Sequence, residues 1–470
     1  MKKITLLALS ALLLAAPATV EAKKKAKEPA YGNQKTTVSH PDWLRDAVIY
    51  EVNLRQGSPT RDLKGMQRQL PRLKDLGVDV LWLMPVHPIS EKNRKGELGS
   101  YYAVQDYKKI NPEFGSLEDF KEFVRTAHSL GMKVIIDEVC NHTGGDNVWL
   151  ESNPDFYAKD KAGNLISPFD WTDTYKLDYS NPATRRAMTD ALRFWVEETD
   201  IDGYRCDVAM EVPTDYWEEA VKELRAIKPI LMLAEASKPE LTLNAFDMDY
   251  NWPMKDVFNA ISATQGANEY AKAKNQSLPK MTAKDILALI EKQNKEYPQG
   301  AVSMNMVTNH DLNSWEGTEI ERFGPALGAF ATLSYTLPGV PMMYTGQEVG
   351  YNHAFEFFKH DTVPDYTAND ITVFYEMLNS MKKKHRALDA TNPRENFTPL
   401  SVTDEDVIAF TRVSGDDKVM VIANLSGEEA KAPFGDNAPS VAGLVDYFTG
   451  AAAALPEALA PWQYVIFTSK

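Results

Sequence analysis

At 470 residues, with 44% hydrophobic and 25% charged residues, the chain has room for a large core and two or three domains, which excludes general disorder. Its formal net charge of −15 argues against nucleic acid or an anionic membrane surface as the main partner, because both demand a basic face. Only two cysteines, Cys140 and Cys206, are present, so this is no disulfide scaffold, and CxxC and His/Cys metal spacings are absent.

Residues 1–22 read as a secretory signal peptide. Lys2 and Lys3 precede the apolar run Ile4–Ala16, and small residues lead to a cut after Ala22. The run is too short to favour a spanning helix and no later stretch is long enough to cross a bilayer. The expectation is an exported protein, periplasmic or extracellular, whose mature chain does not insert into the membrane. The Lys-rich residues 23–42 are expected to be mobile, with order setting in around Trp43.

Short apolar, β-branched runs then alternate with longer amphipathic ones. The strand candidates are Val48–Leu54, Val80–Met84, Lys133–Asp137, Gly203–Asp207, Ile230–Ala234, Ala245–Asp249, Val302–Thr308 and Val340–Tyr344. Helical spacing marks Leu63–Leu76, Leu117–Leu130, Pro182–Glu198, Asp215–Ile227, Thr282–Tyr297, Ala326–Leu337 and Thr372–Lys384. Ser116 and the Asn181-Pro182 pair give clean helix starts, whereas Pro71 argues against one unbroken first helix. Eight strands separated mostly by helices predict a parallel sheet that closes into a (β/α)8 TIM barrel, assigned to residues 43–390.

Two regions break the alternation. Residues 141–177, after the third strand, are rich in Asp, Asn and Pro and carry Trp149, Phe156, Tyr157, Phe169, Trp171 and Tyr175, the mark of a functional excursion over a site. Residues 391–470 contain strand runs at Val407–Val413, Lys418–Leu425, Gly443–Phe448 and Gln463–Thr468 with no long helix, which predicts a C-terminal antiparallel β domain. Cys140 and Cys206 fall at buried-looking strand ends and are expected as free thiols.

An active site in such a barrel lies at the C-terminal ends of the strands. Strand three ends Asp137-Glu138-Val139-Cys140-Asn141-His142, strand four Arg205-Cys206-Asp207, strand five Leu233-Ala234-Glu235, and strand seven Thr308-Asn309-His310-Asp311. Arg205 and Asp207, two apart on a strand, project to the same side. Taken alone the pair reads first as a structural ion pair; four carboxylate-bearing ends on one face are hard to explain as helix caps.

These four segments resemble the signature regions of the alpha-amylase superfamily of glycoside hydrolases. Val48-Ile49-Tyr50-Glu51-Val52 resembles its first strand, Tyr102-Ala103-Val104-Gln105-Asp106-Tyr107 with Asn111-Pro112-Glu113-Phe114-Gly115 its second loop, and Gly339-Val340-Pro341-Met342-Met343-Tyr344-Thr345-Gly346-Gln347-Glu348 its eighth strand. The excursion resembles a short domain B and the tail a domain C. The resemblance implies an α-glucan or maltooligosaccharide substrate, with Asp207 as nucleophile, Glu235 as general acid/base and Asp311 as the carboxylate that stabilises the transition state. It implies sugar contacts from Tyr102, His142 and His310, and it places Arg205 beside Asp207 to keep it ionised. Glu235, behind an apolar strand, is then the carboxyl expected to be raised.

The resemblance implies no cofactor for the chemistry, although many members carry a structural calcium. Asn141 and Asp178 match calcium-binding positions, and an asparagine there serves equally to tie the loop down. Met210 and Glu211 stand where many members have a Lys-His pair. Three readings follow: a retaining hydrolase of α-glucosidic, chiefly α-1,4, bonds; a transglycosylase or disaccharide isomerase using the same residues; and a sugar-binding barrel without turnover. Oligomeric state is not legible.

Overall fold

The computed structural model describes residues 30–267, 274, 277–392 and 394–470, so the expected signal peptide lies outside the described residues. Eight parallel strands close a barrel: β1 (Ile49–Val52), β2 (Val80–Leu83), β3 (Lys133–Glu138), β4 (Gly203–Cys206), β5 (Leu231–Ala234), β6 (Met248–Tyr250), β7 (Val302–Asn305) and β8 (Val340–Tyr344). Each pairs with its sequence neighbour, and β1 pairs with β8. All eight expected strands are present.

Alternation sorts their side chains. Ile49, Val80, Trp82, Ile135, Leu231, Leu233, Met248, Tyr250, Val302, Met304, Val340 and Met342 fill the interior, while Tyr50, Leu81, Val134, Ile136, Tyr204 and Met232 pack outward on the helices. At Gly203 the backbone has φ +147, and a Cβ there would lie 1.9 Å from the Leu231 carbonyl oxygen. Only glycine lets β4 approach β5 this closely.

The longer helices are α1 (Leu63–Leu76), α2 (Leu117–Ser129), α3 (Pro182–Thr199), α4 (Thr214–Ile227), α5 (Trp252–Thr264), α6 (Ala283–Glu296), α7 (Leu327–Thr336) and α8 (Asp370–Lys384). Ser116 caps α2 in a reciprocal box with Asp119, and Asn181 caps α3 ahead of Pro182. Helix α1 fills the expected range and runs unbroken through Pro71. Its Pro71 lies on the exposed face, where water can satisfy the carbonyl that loses its partner.

The excursion leaves the barrel after β3, its first strand, His142–Gly144, pairing antiparallel with Thr174–Lys176. The tail forms a five-stranded antiparallel sheet from β9 (Phe397–Pro399), β10 (Val407–Ser414), β11 (Asp417–Asn424), β12 (Leu444–Asp446) and β13 (Tyr464–Ser469), in the order β9-β10-β11-β13-β12. Both cysteines are buried free thiols. Residues 30–42 are tethered, not loose: Tyr31 and Thr36 donate backbone N–H groups to Glu296 and Gln299, and His40 Nδ1 lies 2.9 Å from Asp247. Order therefore begins before Trp43. Among the described residues no helix is long and apolar enough to cross a membrane.

Candidate active site

The register of the barrel assembles the site. Asp137 and Arg205 are paired neighbours on β3 and β4, both facing inward, and Arg205 Nη1 donates to Asp137 Oδ1 at 2.7 Å. The same nitrogen donates to Asp207 Oδ1 at 3.1 Å, while Nη2 lies 2.8 Å from Glu235 Oε2. One fully buried guanidinium thus holds three carboxyl groups from three strands. Its Nε donates to Tyr250 Oη at 3.2 Å, and the rings of Trp82 and Tyr250 lie under it.

The chain turns sharply beyond Asp207. Val208 has φ 35, a left-handed conformation that a β-branched residue adopts at a cost of about 1–3 kcal/mol. The turn aims the Val208 N–H at Glu235 Oε2, 2.8 Å away. With Val208 N–H donating to Oε2 and the Arg205 guanidinium paired with the same oxygen, a proton on Glu235 belongs on Oε1. Asp207 Oδ2 is buried with no hydrogen-bond partner.

The opposite wall is a connected polar row. Tyr102 Oη lies 2.7 Å from His310 Nε2 and donates to Asp137 Oδ2 at 3.1 Å, its ring stacked on His310 with centroids 5.5 Å apart. His310 Nδ1 meets Glu51 Oε1 at 2.5 Å, and Nε2 is 3.4 Å from Asp311 Oδ1. Asp311 stands at the mouth, its side chain 37% exposed. His142 packs against Trp171, which Phe169 covers in turn, with ring centroids 5.2 and 4.8 Å apart. All seven residues singled out in the sequence, Tyr102, His142, Arg205, Asp207, Glu235, His310 and Asp311, therefore meet at one mouth.

Five carboxyl groups (Glu51, Asp137, Asp207, Glu235, Asp311) face two cations, Arg205 and His310. Burial pushes Asp207 well above the usual carboxylate range against the pull of Arg205, raises Asp311 against His310, and lifts Asp137 to about 6. Arg205 sits on Asp207 as expected and opposes the desolvation, but its one guanidinium is divided among three carboxyls. Burial holds the His142 imidazole neutral, down to about 3, against a hydrogen bond with the Tyr102 carbonyl. Asp311 and Glu51 outweigh burial at His310 and raise it to about 9.

Of the excursion aromatics, Trp149 packs on Tyr107 and Phe156, and Phe156 and Tyr157 are buried. Phe169, 57% exposed, and Trp171 are the pair that reaches toward the mouth. Sequence reasoning gave Glu51 no role. Its signal was an acidic residue on the inward face of β1, two positions beyond the inward-facing Ile49.

The calcium-site residues are otherwise engaged. The Asn141 amide faces His142 Nδ1 at 3.3 Å, Asp178 accepts the Ser180 N–H, and Glu211 pairs with Lys176 at 3.3 Å. A lysine ammonium thus ties the excursion to the turn after β4. Among the described residues no group of three or more His, Cys, Asp or Glu is arranged to hold a metal ion.

The alpha-amylase catalytic-domain family model matches residues 48–398. In the solved structures, an alpha-amylase from Lactobacillus plantarum superposes with a TM-score of 0.76 at 30% identity, over 91% of this chain and 99% of that one. A noncanonic maltogenic alpha-amylase from Thermotoga neapolitana gives 0.75 at 27% identity, over 90% and 98%. An alpha-amylase of Haloarcula japonica is 28% identical over 83% of this chain, which spans only 56% of that relative's length.

Proposed function

We propose, from the premise that this chain belongs to the alpha-amylase family of glycoside hydrolases, that it cleaves α-1,4-glucosidic bonds in starch-derived oligosaccharides with retention of configuration. The observation that carries this reading is the bare Oδ2 of Asp207, beside a guanidinium that also grips Glu235. A double displacement depends on two carboxyls roughly 5–5.5 Å apart, and the shared guanidinium draws Asp207 and Glu235 toward each other.

In the first step Asp207 Oδ2 attacks the anomeric carbon and the bond to the leaving oxygen breaks. The Glu235 Oε1 proton passes to that oxygen, and a glycosyl ester forms on Asp207. Glu235, now a carboxylate, takes a proton from water as the water oxygen bonds to the anomeric carbon. Asp207 is released as a carboxylate and Glu235 regains its proton. Asp311 stabilises the positive charge that builds on the sugar ring in both steps. Tyr102 offers a stacking face, and His142 and His310 donate to hydroxyls. The protein is exported and needs no metal.

The test is incubation with maltoheptaose, with the first-formed anomer read by NMR. Shorter maltooligosaccharides appearing first as the α-anomer are expected, with loss in Asp207→Asn. Absence of products, or a β-anomer, would sink the reading. At high maltose, longer oligosaccharides or trehalose would indicate that an acceptor sugar outcompetes water.

A further inference from the structure

Glu51 is fully buried at the inward face of β1, and both its oxygens are committed to one residue. Oε1 meets His310 Nδ1 at 2.5 Å and Oε2 accepts the His310 backbone N–H at 3.2 Å. A carboxylate can only accept, so Nδ1 carries a proton. At the other side of the ring, Nε2 lies 3.4 Å from Asp311 Oδ1 and 2.7 Å from a tyrosine hydroxyl whose own proton goes to Asp137. Two acceptors around Nε2 favour a proton there too.

We propose that Glu51 is a positioning residue for the reaction: it fixes the ring of His310 and keeps it doubly protonated, so that Nε2–H serves as a donor to the sugar and to Asp311. The proposal rests on the glucosidase reading above. The groups facing the imidazole are Glu51 from β1, Tyr102 from the loop after β2, Asp137 from β3, Arg205 from β4 and its neighbour Asp311; Trp82 supplies an uncharged ring edge. Among them Glu51 is the carboxylate that touches only His310. Neutralising it therefore removes charge from the ring without touching Asp207, Glu235 or Arg205.

The experiment uses the full chain and its Glu51→Gln variant, with His310 assigned in the NMR spectrum by a His310→Gln variant. The wild-type imidazole is expected to titrate near 9, and clearly lower in Glu51→Gln, where Asp311 is the remaining carboxylate that raises it. The alkaline limb of kcat/KM should follow it toward acid, the loss falling mainly in kcat, with Glu51→Asp restoring part of it. A wild-type imidazole titrating at or below 7 overturns the proposal even if the variant fails to fold. A limb that stays put while the ring shifts overturns it as well. Failure of the underlying reading looks different: no turnover by wild type, with the ring titration still high.

Discussion

Arg205 Nη1 stands 3.1 Å from Asp207 Oδ1 and leaves Oδ2 of the same carboxylate buried without a donor. Oriented at one oxygen and bare at the other, the carboxylate is poised to attack and costly to keep. Desolvation disfavours its charge, and the one nearby cation is divided among three partners.

Replacing Asp207 with asparagine separates function from stability. The amide keeps the shape but cannot form the glycosyl ester, so kcat on maltoheptaose should fall by about a thousandfold or more. The thermal midpoint should hold or rise, because a buried carboxylate is gone. Activity within tenfold of wild type would remove Asp207 from the mechanism.

Glu235 is held differently. Its Oε2 accepts from Val208 N–H and faces the Arg205 guanidinium at 2.8 Å, which leaves Oε1 to present the proton. Glu235→Gln should lower turnover of natural oligosaccharides by roughly 10²–10⁴-fold. An aryl α-glucoside whose phenol leaves without protonation should lose far less in its first step, seen as a burst of released phenol. An equal loss on both substrates would argue against the acid role.

Much of this was legible because it is local. Eight β-branched runs between amphipathic helices announced a closed barrel, and the two-residue spacing of Arg205 and Asp207 put them on one side of one strand. What stayed hidden depends on distant partners. Glu51 meets His310 only because β1 lies near the end of β7 in the closed barrel, and no spacing along the chain shows that. Pro71 broke a local rule and was tolerated because its face of α1 meets water. The burial that raises Asp207 comes from walls built by separate strands, whereas the apolar run that pointed to Glu235 lies beside it in the chain.

The Lys176–Glu211 pair ties the excursion to the turn after β4, and we propose that this attachment is insensitive to metal. Dialysis against a chelator should leave the maltoheptaose rate and the thermal midpoint unchanged. Both partners are about one-third exposed, so Lys176→Ala should cost less than about 1 kcal/mol by denaturant titration. A chelator-induced drop in the midpoint, reversed by calcium, would contradict this assignment.

Asp249 offers a stability test away from the chemistry. Burial raises its carboxyl from the ordinary 3.8 to about 8, opposed by the Tyr297 hydroxyl that donates to Oδ2 at 2.7 Å. Below pH 4 both folded and unfolded chains carry the proton, and the site costs nothing. Between pH 4 and 8 the unfolded chain ionises while the folded one does not, so stability falls by about 1.4 kcal/mol per unit until the folded group also ionises. Asp249→Asn supplies a neutral group of the same shape that can still accept from Tyr297. Its unfolding free energy should match wild type near pH 4 and exceed it increasingly toward pH 8, measured by urea titration at each pH. A difference that does not vary with pH would mean that Asp249 is already ionised in the folded protein.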